Sequence, residues 1–125
     1  MKAGDTFLYP IPYEHLWIVV TNPNPNGEVL LVNITTAYSM DKDKVDTTVT
    51  LNSKDHQFVK DRSYVYYRAA MTKYVSDLEA EEKAGRLKTK PCCSPEILKL
   101  VRDGVSASPH CTRAIRKFYT DHKHL

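Results

Sequence analysis

VLLVNITT, residues Val29 to Thr36, decides how the rest of the chain is read. Four apolar residues in succession, Val29 to Val32, suit a strand with both faces against other parts of the protein. At its end Asn33, Thr35 and Thr36 replace the apolar run with short hydrogen-bonding side chains. A buried strand would then deliver polar groups to the rim of a sheet. The same residues also suit a plain strand end and the turn after it.

Outward from this stretch, Leu16–Val20 (LWIVV) reads as a second buried strand, and the turn-rich TNPNPNG between the two makes a hairpin. His15 stands just before that strand. Asp5–Tyr9 reads as a first strand ended by Pro10 and Pro12. Ala37–Asp46 is polar and charged and reads as an exposed loop beside the end of the central strand. Thr47–Leu51 resumes strand character, and Gln57–Val59 is a candidate short strand. In SYVYYRAAM, from Ser63 to Met71, the two-residue period puts Tyr64, Tyr66 and Arg68 on one face, with Val65, Tyr67 and Ala69 on the other. Arg68 is either an anion-binding group on a rigid strand or a surface arginine stacked on aromatic neighbours.

Beyond that strand the period becomes helical. Ser76 and Glu79 have capping-box spacing and Gly85 can end a short helix. Arg86–Cys93 reads as a basic linker. Ser94-Pro95 opens a helix lined by Ile97, Leu98, Val101 and Val105, and Ser108-Pro109 repeats the arrangement. The last helix is expected to bury Cys111, Ala114, Ile115 and Phe118 and to expose Arg113, Arg116 and Lys117.

The 125 residues suffice for a single domain, with strands over 1–75 and helices over 76–125, and 42% hydrophobic with 26% charged residues marks a globular chain. No apolar run is long enough to span a bilayer and MKAGDTF lacks a secretory pattern, so the expected compartment is the cytoplasm. Three cysteines, two of them adjacent, make a poor disulfide framework. Cys92, Cys93, His110 and Cys111 include zinc-ligand types, but adjacent cysteines fit a tetrahedral ion badly, and no metal or cofactor is expected. A formal charge of +3 helps a polyanion approach and leaves the partner open.

Gly4-Asp5, His15–Val20, Val29–Thr36, Ser63–Ala69 and a Ser-Pro-capped helix, in that order, resemble the MazF/PemK/Kid toxins. Asn33-Ile34-Thr35-Thr36 falls where those proteins close a strand in Pro-Val/Ile-Thr-Ser/Thr. The resemblance covers roughly the first hundred residues. It implies a mainly β, α+β fold: a small SH3-like barrel of five to six strands with one short helix and two C-terminal helices. It also implies a homodimer, an antitoxin partner, and metal-independent cleavage of single-stranded RNA to a cyclic phosphate.

On this resemblance Thr35 and Thr36 hold the scissile phosphate, Arg68 stabilises charge on phosphorus or acts as acid, and Asn33 and Tyr66 contact substrate. His15 stands where relatives often carry an arginine, and Ala70 where Kid-like members carry an acid. His15 and His56 are the candidate proton carriers, since histidine exchanges protons near neutral pH. The alternative is a non-catalytic module on the same barrel, in the manner of the CcdB branch, binding a protein or RNA.

Overall fold

The computed structural model describes residues 1–11, 13–38 and 45–125. Pro12 and most of the expected loop from Ala37 to Asp46 lie outside the described residues.

A single antiparallel sheet organises the fold. Its strands are β1 (Thr6–Pro10), β2 (Glu14–Val19), β3 (Glu28–Thr36), β4 (Thr50–Leu51), β5 (Ser63–Tyr74) and β6 (Lys88–Lys90), in the order β4-β5-β3-β2-β1-β6. β4 and β6 are the two edges, so the sheet is a curled half-barrel. The mainly β, α+β expectation therefore holds, including one short helix and two at the C-terminus. β3 lies between β2 and β5, as its unbroken apolar run requires. The expected hairpin is present, with Leu16 opposite Ile34 and Val19 opposite Leu31. Its connection is fixed by Asn24, whose Oδ1 accepts from the backbone N–H groups of Asn26 (3.0 Å) and Glu28 (2.8 Å), and by Gly27 at φ 79°.

Alternation along the strands makes two cores. Leu16, Ile18, Leu30, Val32, Ile34, Val65 and Tyr67 face helices α2 (Pro95–Ala107) and α3 (Arg113–His122). Phe7, Tyr9, Trp17, Val19, Val29 and Leu31 face the other way and are covered by Leu78 of α1 (Val75–Lys83) and by Leu87. Both faces of β3 are thus dry.

β5 serves both cores because its alternation is interrupted. Five residue steps on β5, from Tyr66 to Met71, answer two steps on β3, from Asn33 to Leu31. Val65 and Tyr67 face α2 and α3 while Met71 packs in the opposite core. The expected common face for Tyr64, Tyr66 and Arg68 holds only up to this irregularity.

Other local expectations need correction. Gln57–Val59 forms turn rather than strand, and the strand expected over Thr47–Leu51 shrinks to two residues. The basic linker contains β6, paired with β1. α1 begins without a side-chain cap; Ser76 lies inside it, so the capping-box reading fails, whereas Gly85 does take a left-handed φ of 80° after its end.

Ser94 caps α2 as expected, its hydroxyl accepting from the Ile97 N–H at 3.2 Å. Ser108 does not cap α3. Its hydroxyl instead donates to the buried Asp46 carboxylate at 2.5 Å and accepts from the His110 N–H, and Thr112 caps α3. The helix therefore starts four residues later than the Ser-Pro pair suggests, burying Ile115 and Tyr119 and leaving Ala114 exposed. Arg116 is half-buried and donates to the Ser108 carbonyl. Among the described residues no helix is long and apolar enough to cross a membrane.

Candidate functional site

The apolar run of β3 ends at one mouth of the half-barrel, where a groove of about 420 Å³ opens. Its apolar floor includes Leu8, Leu16, Ile34 and Val59. Around this lie Glu14 and His15 at the start of β2, Thr35 and Thr36 at the end of β3, and Tyr38 just beyond it. Phe58, Lys60, Asp61 and Ser63, from the turn leading into β5, form the opposite wall. The volume is in the range of small-ligand clefts.

Strand alternation assigns different roles to the two threonines. Thr36 pairs with Ser63 and follows Ile34 by two residues, so it shares the floor's face of the sheet. Thr35 pairs with Tyr64 and turns the other way, its hydroxyl donating to Asn33 Oδ1 at 3.0 Å. His15, opposite Tyr9, also belongs to that outer face and reaches the groove from its rim. Among the described residues the Thr36 hydroxyl and both His15 ring nitrogens have no hydrogen-bond partner.

Asn33 and Tyr66 sit opposite one another on β3 and β5, two residue pairs inward from Thr35 and Tyr64 on the same face. Asn33 is buried, and Tyr66 meets Tyr64 edge-on with ring centroids 5.9 Å apart. Burial raises the Tyr64 phenol above its ordinary pKa, with Tyr66 and Asp46 adding to the effect. Asn33 supports Thr35 from behind, and neither Asn33 nor Tyr66 lines the groove.

Arg68 is not in this assembly. Ser63, opposite Thr36, lies five residues earlier on β5, which places the Arg68 backbone roughly 16 Å farther along the strand. The interruption of alternation turns its exposed side chain to the α2–α3 connection, where Nη2 lies 2.9 Å from His110 Nδ1. The expected meeting of guanidinium and threonines does not occur.

His56 is a structural group. The Phe58 N–H donates to Nδ1 at 3.1 Å, so the ring proton is on Nε2, which donates to the Pro91 carbonyl at 2.7 Å. Thr6 Oγ1 donates to the same carbonyl at 2.7 Å. The buried imidazole thus ties the turn before β5 to β1 and to the segment after β6, and neither nitrogen faces the groove.

Lys60 went unnoticed in the sequence, as did Glu14, Tyr38, Phe58 and Asp61. Lys60 supplies the cation that Arg68 does not. The available signal was their placement in short connections flanking the strand ends, where binding groups concentrate.

Among the described residues no group of three or more His, Cys, Asp or Glu side chains is placed to hold a metal. Cys92 is exposed with its thiol donating to Asp5 at 3.4 Å, whereas Cys93 and Cys111 are buried. No protein-family model matches the chain, and no curated protein or solved structure matches it either.

Proposed function

We propose that the groove binds single-stranded RNA and cleaves it by internal transesterification, in the manner of the toxins the sequence resembles. The observation that carries this reading is the gathering of an imidazole, hydroxyls, an ammonium and a carboxylate along one groove at the end of β3.

In the reaction the ribose 2′ oxygen forms a bond to phosphorus as its proton leaves, and the P–O5′ bond breaks as the departing oxygen gains a proton. The products are a 2′,3′-cyclic phosphate and a 5′-hydroxyl, with no net uptake of water or electrons. Glu14 takes the first proton and His15 gives the second; both line the groove. Lys60 and the Thr36 hydroxyl meet the charge that builds on the phosphoryl oxygens. Asn33 acts through Thr35 as a positioning residue, its Oδ1 holding the Thr35 hydroxyl. A homodimer and an antitoxin partner accompany this proposal on the resemblance alone, and a cytoplasmic setting on the sequence pattern.

The test is incubation of labelled single-stranded RNAs with the protein and a chelator, resolved on denaturing gels. Wild type should yield cyclic-phosphate ends. His15→Ala should slow cleavage by about a hundredfold or more, Lys60→Ala should also slow it, and Arg68→Ala should leave it unchanged. RNA that stays intact across many sequences, or a rate that depends on Arg68 and ignores Lys60, defeats the proposal.

A second reading, a non-catalytic module for a protein partner, is favoured by the exposed side chains at this end of the sheet. Tyr38 is 94% exposed, Tyr13 77% and Ile11 43%, and tyrosines of this kind often anchor interfaces. Capture of a defined partner lost in Tyr13→Ala, together with intact RNA, would select it.

A further inference from the structure

We propose that the groove selects guanine at the nucleotide it holds, through the Asp61 carboxylate; this rests on the RNA reading given above. Most of the groove's groups cannot tell bases apart. Tyr38 and Phe58 offer ring faces, and stacking accepts every base. The Thr36 and Ser63 hydroxyls both donate and accept, and Lys60, a donor without directionality, suits a phosphate.

The two carboxylates are different. Glu14 and Asp61 accept hydrogen bonds and cannot donate them, and among the described residues neither side chain is in an ion pair. In a groove that takes a polyanion, an unpaired carboxylate repels the phosphates unless the ligand brings donors to it.

The Watson–Crick edges of the four bases answer this requirement unequally. Uracil sets one N–H between two carbonyl oxygens, while cytosine and adenine place an amino group beside an acceptor nitrogen. Guanine alone presents two adjacent donors, N1–H and the N2 amino group, which match the two oxygens of one carboxylate.

Asp61 is the better placed of the two for reading a base. It lies three residues from Phe58 on the same turn, and that turn is held by His56 at one end and by Ser63 Oγ, donating to the Asp61 carbonyl at 2.9 Å, at the other. Lys90 Nζ lies 4.4 Å from the Phe58 ring centroid, which restrains the ring. A base stacked on Phe58 then turns its edge toward Asp61, leaving Glu14 beside His15 for proton transfer.

The experiment measures binding by fluorescence anisotropy, using short uridine-rich RNAs with one variable nucleotide. That nucleotide is 2′-deoxy, which removes the attacking hydroxyl. Guanine should bind tightest, hypoxanthine, which lacks the amino group, about tenfold weaker, and uracil weaker still. Asp61→Asn should bring guanine and uracil to one level, guanine losing its two hydrogen bonds to the carboxylate and uracil gaining what the carboxylate's repulsion had cost it. Equal measurable affinity for all four bases overturns the selection of guanine, and a guanine preference that survives Asp61→Asn overturns the role of Asp61. Absence of binding to any of the oligonucleotides is a separate outcome, overturning the RNA reading and this inference with it.

Discussion

Gly104→Ala should destabilise the protein, although Gly104 lies inside α2, where alanine ordinarily improves a helix by about 1 kcal/mol. Gly104 is buried against Tyr67 of β5, whose ring lies across the helix and whose hydroxyl donates to the Val101 carbonyl at 2.8 Å. A Cβ at position 104 would overlap Tyr67 Oη, lie 2.6 Å from Cζ and stand 3.0 Å from Val49 Cγ2. The ring is rigid and fully buried on a central part of the sheet, so it cannot swing aside.

Separating helix from strand costs about 1–3 kcal/mol in overpacking. Breaking the Tyr67–Val101 bond leaves the buried Tyr67 hydroxyl unpaired, while the Val101 carbonyl keeps its bond within the helix, at about 1–3 kcal/mol more. After subtracting the helical gain, the expected loss is about 3 kcal/mol. Urea unfolding followed by the fluorescence of buried Trp17 measures it, and a double-mutant cycle assigns it. In a Tyr67→Val background the alanine should cost little or nothing. A Gly104→Ala protein as stable as wild type, or a cost that persists in the Tyr67→Val background, refutes the proposed packing.

Two further tests address groups outside the groove. His56→Ala removes the donor to Pro91 and the acceptor for Phe58, so it should lower stability by about 2–3 kcal/mol in urea titration; lost RNA cleavage with an unchanged unfolding midpoint would instead restore His56 to the chemistry. Burial pushes the Cys93 thiol up to about 11 and also raises that of Cys111. Alkylation read by mass spectrometry at pH 8 should mark exposed Cys92 first, and once access is allowed for, the thiolate fraction of Cys93 should grow about tenfold per pH unit up to its pKa; equal early labelling of the three cysteines would contradict this.

The strands that carry the fold were legible because burial writes itself as hydrophobic pattern. VLLVNITT and LWIVV could hardly be anything but central, and the turn-rich stretch between them fixed their pairing. The Ser-Pro pairs show where pattern fails. Ser94 and Ser108 precede proline in the same way, but Asp46, 62 residues from Ser108, claims the second hydroxyl. No local rule contains that contact.

The groove was legible in part for the same reason. Thr36, Thr35 and His15 stand at strand ends, and strand ends can be read; Lys60 and Asp61 stand in a turn whose position depends on the His56 tie to Pro91. Arg68 was misplaced because alternation in SYVYYRAAM is unbroken in the letters and interrupted in the chain.

That interruption makes β5 a strand with two reading frames. The difference between its steps and those of β3 is odd, so side chains before Arg68 and after Ala70 are counted inward by opposite parity. Replacing one residue between them leaves the count intact, whereas removing one would turn either Met71 out of its core or Tyr67 out from under α2. Length, more than composition, is what selection must guard along these few residues.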